Sequence, residues 1–288
     1  MAEELQVGAP GRLLDFLRAA LPGWKRKTLE QRIHAGCVLV NGAAIRRPEH
    51  ELRVGDEVRV VPEGQGAPVR AQPKGLTILY ADELLVAIDK PAGLLSVPLA
   101  ERRGRSALAL VRESRSQPGH PARVWPVHRL DREASGVLLF ALTDEARAAV
   151  QESWPDVRKL YLAVVEGHPA PPEGVVDAPL FEDRDLNVRV GDGPDAKAAR
   201  TRYRTLESGR GRALLEVELD TGRRQQIRAH LAHLGHPVVG DARRGTSATR
   251  LGLHALRLAL RHPRDGRELV FEAPPPRAFR ALFDGGAG

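Results

Sequence analysis

Asp131 is the residue whose neighbours in the sequence are most suited to chemistry. It lies between Arg129 and Arg132, just before a Ser-Gly pair at 135–136 and the apolar run 137–142. The Ser-Gly pair lets the backbone turn, and the apolar run predicts a buried strand. An isolated aspartate before a strand usually caps a turn through its own backbone. Because two arginines flank this one, we predict instead a loop that presents a carboxylate among cations.

The stretch 128–136, which reads His-Arg-Leu-Asp-Arg-Glu-Ala-Ser-Gly, resembles the catalytic-loop motif of the RluA-type pseudouridine synthases, enzymes that isomerise uridine in RNA. Residues 221–231 and 235–241 are similar to a second motif of this family, and residues 159–167 to its tyrosine-bearing motif. The resemblance covers nearly all of residues 76–283. It implies an α+β fold, with a mixed, mainly antiparallel sheet, flanking helices and an active site in a basic cleft across the sheet.

The resemblance also implies roles for individual side chains. Asp131 is expected to be the catalytic carboxylate, and Arg228 the cation that pairs with it. Tyr161 is expected to pack on the target base and assist proton transfer, although a tyrosine in an apolar strand would otherwise be a core residue. Arg129 is expected to enter the space that the uridine leaves when it flips out, and Ile227 to line the base pocket.

Other positions follow the family pattern or depart from it. His128, Arg223 and Arg224 lie in the matching motifs and are expected to contact RNA. Ala134 and Gln225 stand where the family usually has threonine and histidine. Neither departure removes a group that the reaction needs.

Residues 223–234 predict a helix that Gly235 ends. In such a helix Arg224 and Arg228 lie one turn apart on the same face, where two cations repel each other unless an anion lies near them. Asp131 or an RNA phosphate can supply that anion.

The conversion of uridine to pseudouridine breaks an N-glycosidic bond, turns the freed uracil and joins it again through carbon, without net oxidation. The sequence carries no dinucleotide glycine fingerprint and no phosphate-binding loop, so we expect no cofactor. His230, His233 and His236 do not predict a metal site, because Gly235 ends the helix before the third histidine. The reaction needs one ionised carboxylate, and its use as a nucleophile or as a base stays open.

Two other functions agree with parts of the sequence. An RNA-binding or ribosome-assembly factor without catalysis would be expected to lack Asp131 or Arg228, and both are present. A nucleoside hydrolase usually places two carboxylates around the bond that it cleaves, and Glu133 is the only near candidate for the second.

The first part of the chain predicts a small separate domain. Residues 12–61 contain two short amphipathic helical patterns, an Asn-Gly hairpin signal at 41–42 and a final strand. This unit resembles the S4-like RNA-binding domain, which implies that Lys25, Arg26 and Arg32 face RNA. By the same resemblance, large-subunit ribosomal RNA is the expected substrate, with transfer RNA as the alternative.

Residues 62–75 connect this domain to the rest of the chain. They contain several glycines and prolines and no apolar periodicity. This composition predicts an extended linker to a catalytic domain at 76–283.

Composition agrees with RNA as the partner. The 288 residues include 44 Lys and Arg against 37 Asp and Glu, a formal net charge of +7, which favours a polyanion. No apolar run approaches the length of a membrane span, residues 1–20 lack the pattern of a secretion signal, and Cys37 is the only cysteine. We therefore expect a cytoplasmic, monomeric protein.

Overall fold

The computed structural model describes residues 3–34, 37–41, 43–45, 47–61, 76–98, 105–116, 120–185, 187–193 and 195–284. The chain divides into two compact units, residues 1–71 and 72–288. The predicted linker 62–75 and the glycine of the predicted Asn-Gly turn lie outside the described residues. Among the helices that are described, none is long and apolar enough to cross a membrane.

The N-terminal unit combines two helices with a small antiparallel sheet. Its elements are β1 (Glu3–Gln6), β2 (Gly11–Arg12), α1 (Leu13–Ala20), α2 (Arg26–His34), β3 (Val38–Val40), β4 (Ala43–Ile45), β5 (Glu51–Leu52) and β6 (Glu57–Val60). The sheet order is β1-β6-β3-β4, and β2 pairs with β5. The sequence predicts the two helices and the β3–β4 hairpin, and misses β1, which pairs with β6.

Apolar side chains at helical spacing build the core of this unit. Leu13 and Leu17 of α1 and Leu29 and Ile33 of α2 are fully buried, together with Val38 of β3. Full burial of such a side chain stabilises the fold by roughly 1.5 to 3 kcal/mol. The unit therefore has a core of its own.

The second unit is built on one large sheet. Its strands are β7 (Thr77–Ala81), β8 (Leu85–Lys90), β9 (Trp125–Pro126), β10 (Ser135–Ala141), β11 (Arg158–Glu166), β12 (Glu173–Asp177), β13 (Leu180–Glu182), β14 (Val188–Val190), β15 (Arg200–Gly209), β16 (Arg212–Leu219), β17 (Leu253–Arg261) and β18 (Glu268–Glu272). Its helices are α3 (Ala107–Arg115), α4 (Asp144–Glu152), α5 (Gln226–His233) and α6 (Arg277–Asp284).

The strand order is β12-β15-β16-β11-β17-β10-β8-β7, with β18 also paired to β17 and β9 to β10, while β13 and β14 form a separate hairpin. Along this order neighbouring strands are antiparallel except β10 and β17, which pair in parallel at Gly136 and Ala255. The predicted fold class, a mixed and mainly antiparallel sheet with helices, is confirmed.

The two strands that border the site are buried on both faces. In β10, Val137 and Leu139 pack in the core cluster that includes α4, and Leu138 and Phe140 pack in the cluster that includes α3. The strand β11 lies between β16 and β17, as its two apolar faces predict. Because these strands are fixed by packing, they are rigid supports for the loops at their ends.

Gly136→Ala is expected to destabilise the second unit strongly. Gly136 has a φ of 111°, and a Cβ atom there would lie 2.1 Å from the Ala255 carbonyl oxygen. The backbone must therefore shift at the parallel pair, and we expect the free energy of unfolding in urea to fall by about 3 kcal/mol or more. Gly266 is the control, since its φ is 71° and nothing lies within 4 Å of the added atom. Gly266→Ala should cost about 1 to 2 kcal/mol, and equal losses for both variants would contradict the close contact.

Candidate active site

The loop of residues 127–134, called here the catalytic loop, is fixed onto the turn that follows β8. Ser96 Oγ donates to the Leu130 carbonyl at 2.7 Å and accepts from the Leu130 N–H at 3.0 Å. The Gly93 N–H donates to the Arg132 carbonyl at 2.8 Å, and Arg132 Nε donates to the Gly93 carbonyl at 3.2 Å. These contacts hold the backbone on both sides of Asp131.

A buried ammonium group reinforces the same junction. Lys90 is fully buried, and its Nζ donates to the carbonyls of Pro91 at 3.0 Å, Leu94 at 2.8 Å and Arg132 at 3.1 Å. Burial lowers the pKa of Lys90 to about 8, and nearby carboxylates of the catalytic loop oppose this shift. Three carbonyls match the three donors of an ammonium group. Lys90 therefore ties the end of β8 to the catalytic loop.

Asp131 and Arg228, 97 residues apart in the sequence, form the predicted ion pair, with Arg228 Nη1 2.8 Å from Asp131 Oδ2. The Arg228 side chain is 7% exposed and the Asp131 side chain 23% exposed, so the carboxylate can still meet a substrate. Burial disfavours the charged guanidinium, but hydrogen bonds to Asp241 and Asp131 outweigh it and raise the pKa of Arg228. Arg228 is a permanent cation beside Asp131.

The helix that carries Arg228 begins later than the sequence predicts. The helix α5 begins at Gln226, and Gln225 before it adopts the left-handed conformation, with a φ of 49°. The buried Gln226 amide oxygen accepts from Thr221 Oγ1 at 2.8 Å and from the Arg223 N–H at 2.9 Å, and its nitrogen donates to two oxygens of β15. These bonds hold residues 221–225 as a loop instead of a first helical turn.

The prediction that Arg224 and Arg228 share one helix face is therefore wrong. Arg224 precedes the helix, is exposed, and has its Nη1 2.6 Å from Glu182 Oε1. The anions that Arg228 meets are Asp131 and Asp241.

A pocket lies over Asp131. Tyr161, Ile227 and Ala134 are among the residues that line it, and the Ile227 side chain is buried. Burial, with a smaller contribution from the Asp131 charge, raises the pKa of the Tyr161 hydroxyl, which therefore stays protonated at neutral pH. The pocket thus combines an apolar wall, an aromatic ring and one carboxylate.

Two exposed arginines line the same pocket, whereas His128, a predicted RNA contact, is not among its lining residues. Arg129 and Arg223 are both exposed at its rim. His128 instead packs its ring on Trp154, with 4.9 Å between ring centroids, and its Nε2 accepts from the Leu139 N–H at 3.0 Å. This gives His128 a partner in the fold that the sequence does not predict, and its contact with RNA stays a prediction.

The three predicted RNA contacts of the N-terminal unit differ in their surroundings. Arg26 Nε is 2.9 Å from Glu30 Oε1 on the surface of α2. Arg32 is partly buried and donates from Nη1 to the Val61 carbonyl at 3.1 Å. Lys25 is exposed just before α2, and its carbonyl accepts from the N–H groups of Thr28 and Leu29. The contacts of these residues with RNA stay predictions.

Four polar residues of the site have no role in the sequence analysis. They are Lys90, which bonds the catalytic loop, Gln226, which bonds the loop before α5, and Asp241 and Arg244, which lie behind the Arg228 guanidinium. Gln226 and Asp241 lie inside the matching motifs, and this position is their only signal in the sequence. Burial and partners elsewhere in the fold leave no local pattern.

Buried histidines surround the site in neutral form. His230 and His254 are fully buried, and the Nε2 of each donates to a backbone carbonyl, at 3.0 and 2.8 Å. The Nδ1 atom of His230 accepts from the Thr201 hydroxyl at 2.8 Å. The Nδ1 atom of His254 accepts from the Ser135 hydroxyl at 2.8 Å. Burial lowers the pKa of both imidazoles, and lowers the pKa of His128 to about 3.

Because these histidines are neutral in the folded protein, we expect its free energy of unfolding to fall as the pH drops below about 6.5. Their pKa values are lower in the folded protein, so the unfolded chain takes up protons first and the free energy of unfolding decreases with falling pH. Between about pH 7.5 and 5.5 His128 contributes a loss of about 1.4 kcal/mol, and His230 and His254 contribute losses in the same direction. His254→Gln keeps one donor and one acceptor and should remove its share, measured by urea unfolding at both pH values. An unchanged pH dependence would contradict a neutral His254.

Comparisons with known proteins agree with this geometry. Residues 84–233 match the family described as RNA pseudouridylate synthase, and residues 11–58 match the S4 domain. An uncharacterized RNA pseudouridine synthase of Chloroflexus aurantiacus is 38% identical over 297 aligned residues, which span 98% of this chain and 93% of the relative. The ribosomal large subunit pseudouridine synthase D of Nitrosomonas europaea is 35% identical over 290 residues, 94% of this chain and 83% of that protein.

A solved structure supports the same assignment. Human RNA pseudouridylate synthase domain containing 4 superimposes with a TM-score of 0.59 at 28% identity, covering 71% of this chain and 90% of that chain. The chain belongs to the RNA pseudouridylate synthase family and carries an S4 domain. The predicted class of enzyme, an isomerase that acts on RNA, is confirmed.

Proposed function

We propose that this protein converts specific uridines of large-subunit ribosomal RNA to pseudouridine, with Asp131 as the catalytic carboxylate. The observation that carries the assignment of Asp131 is its ion pair with Arg228 at 2.8 Å, beside a pocket lined by Tyr161 and Ile227. The guanidinium holds this carboxylate beside the pocket, where it can act either as a nucleophile or as a base.

The reaction follows from this arrangement. The uridine flips out of its stack, at a cost of a few kcal/mol, and Arg129 at the pocket rim enters the space that it leaves. Tyr161 packs on the base and Ile227 forms the opposite wall. Asp131 then attacks the ribose or removes one of its protons, which breaks the bond from uracil N1 to the anomeric carbon.

The freed uracil turns inside the pocket and joins the ribose through C5. This step breaks the bond from Asp131 to the ribose, if Asp131 attacked, or returns the ribose proton, if Asp131 removed one. One proton leaves C5 and N1 gains one, so atoms and electrons balance without a cofactor. The Tyr161 hydroxyl, which is protonated at neutral pH, assists this proton transfer. The pocket keeps the detached base close to the ribose, which favours rejoining over loss to water.

The N-terminal unit supports ribosomal RNA as the substrate. We assign residues 12–61 to RNA binding, residues 62–75 to a linker and residues 76–283 to catalysis. Lys25, Arg26 and Arg32 are the proposed RNA contacts of the first segment. A relative named for ribosomal large-subunit activity aligns with 94% of this chain, which favours the same substrate.

The test uses transcripts of large-subunit ribosomal RNA, small-subunit ribosomal RNA and a transfer RNA pool. Each is incubated with the full chain, and pseudouridine and free uracil are measured. Pseudouridine in the large-subunit transcript alone is the expected result. Pseudouridine in transfer RNA alone contradicts the substrate, free uracil indicates a hydrolase, and tight binding without either product indicates a binding factor. Mapping pseudouridines in a strain that lacks the gene identifies the sites.

Two finer points belong to the same proposal. We propose that the chain acts as a monomer and that it acts in the cytoplasm. Sedimentation of the protein with and without RNA tests the monomer, which a dimer at working concentration would contradict.

A further inference from the structure

A second carboxylate lies directly behind the Asp131–Arg228 pair. The Asp241 side chain is 0% exposed, whereas that of Asp131 is 23% exposed. Asp241 therefore cannot reach a base in the pocket without a change of structure. Any effect of this residue on the reaction must pass through its neighbours.

Asp241 accepts two parallel hydrogen bonds from the guanidinium of Arg228. Arg228 Nε lies 2.8 Å from Asp241 Oδ2 and Nη2 lies 2.6 Å from Oδ1, whereas Asp131 receives a single contact, from Nη1 at 2.8 Å. A bidentate pair fixes the plane of a guanidinium, and a single contact does not. The plane of Arg228, and hence the direction of its Nη1–H, is therefore set by Asp241.

Asp241 is itself held in place from the other side. Arg244 Nη1 donates to Asp241 Oδ2 at 3.0 Å, and Arg244 Nη2 donates to the Val188 carbonyl at 2.9 Å. The Asp241 N–H donates to Thr246 Oγ1 at 2.7 Å. Burial would raise the pKa of this carboxyl group, but Arg228 and Arg244 outweigh it and lower the pKa of Asp241, so it is ionised.

The four charges form a balanced row. Asp131 and Asp241 contribute two negative charges, and Arg228 and Arg244 two positive ones. A buried ion pair needs good geometry and further hydrogen bonds to offset desolvation. This row meets both conditions and ends on the one member, Asp131, that lines the pocket.

We propose that Asp241 is a positioning residue for pseudouridine formation, which orients Arg228 so that a single N–H holds the Asp131 carboxylate toward the target nucleotide. Arg244 supports Asp241 in this role. The inference rests on the proposed function of Asp131. It gives Asp241 no contact with RNA and no part in substrate binding.

Asp241→Asn tests the proposal. An amide offers one oxygen acceptor, and its NH₂ group opposes the second N–H of the guanidinium. Arg228 must then turn, and we expect kcat to fall about a hundredfold, because a displacement near 1 Å at a reacting group has that effect. The KM for RNA should stay within about threefold, since phosphate contacts elsewhere dominate RNA affinity. Asp241→Glu restores both acceptors at a longer reach and should lose only about tenfold in kcat.

The matched control is Asp82→Asn. Asp82 is a carboxylate with a cluster of partners, less buried than Asp241, and it lies before β8, at the end of that strand opposite Lys90. The substitution Asp82→Asn should lower the stability of the protein and leave kcat unchanged. A general loss of folding would lower the fraction of active protein in the control as well. Each kcat is therefore measured together with an active-site titration and a melting curve.

The outcomes separate this inference from the proposed function. The proposal is supported if kcat falls from wild type to Asp241→Glu and falls further in Asp241→Asn, while the KM for RNA stays constant. Wild-type kcat in either variant, or a rise in KM alone, overturns it. If Asp241→Asn does not fold, Asp241→Glu decides by the same criterion. A wild-type protein that forms no pseudouridine in any RNA overturns the proposed function itself, before either variant is measured.

Discussion

Asp131→Asn is expected to lower pseudouridine formation by at least about a thousandfold, while RNA affinity stays within about threefold of wild type. The amide keeps the size of the side chain but supplies neither an anionic nucleophile nor a base. Arg228 keeps its two hydrogen bonds to Asp241, so its guanidinium does not become an unpaired buried charge. The fold should therefore survive, and the loss is chemical.

Tritium release from RNA labelled at uracil C5 measures turnover, and filter binding measures RNA affinity. Glu133→Gln is the matched control, because Glu133 is an exposed carboxylate in the same loop. It should keep wild-type turnover, and a comparable loss would indicate a second essential carboxylate, as in a hydrolase. Turnover near wild type in Asp131→Asn would contradict the assignment of Asp131.

The motifs in the sequence predict the residues that meet at the pocket. Asp131, Tyr161 and Ile227 come from three separate stretches, and all three line it. The predicted pair of Asp131 and Arg228 is present. Such agreement across long sequence separations comes from the family resemblance, because local periodicity carries no information on which loops meet.

Local patterns fail where tertiary contacts compete with propensity. The residues 223–225 have no helix breaker, yet the Gln226 amide binds the backbone of Arg223 and two oxygens of β15, which favours a loop there. Arg224 consequently turns to Glu182. Asp241 and Lys90 show the same limit, since a charged residue is usually exposed and only its partners in the fold reveal why it is buried.

Arg228→Met is expected to abolish turnover and to lower the free energy of unfolding by about 3 to 5 kcal/mol. The guanidinium is 7% exposed and bonded to two carboxylates, of which Asp241 is 0% exposed. Without it, Asp241 keeps Arg244 as its cation, and Asp131 loses its ion pair. Methionine is long, flexible and apolar, and fills much of the space. The site then holds two carboxylates against one guanidinium, and the loss of stability reports chiefly on this unbalanced negative charge.

Arg228→Lys separates charge from geometry. Lysine keeps the positive charge but cannot reproduce the guanidinium fork, so it should retain more stability than methionine and still lose about a hundredfold in turnover. Arg257→Met is the control, because its ion pair with Glu272 is 46% and 50% exposed and should contribute less than about 1 kcal/mol. Urea unfolding and tritium release are measured on the full chain. Wild-type stability and turnover in Arg228→Met would contradict the pairing, and full turnover in Arg228→Lys would show that charge alone suffices.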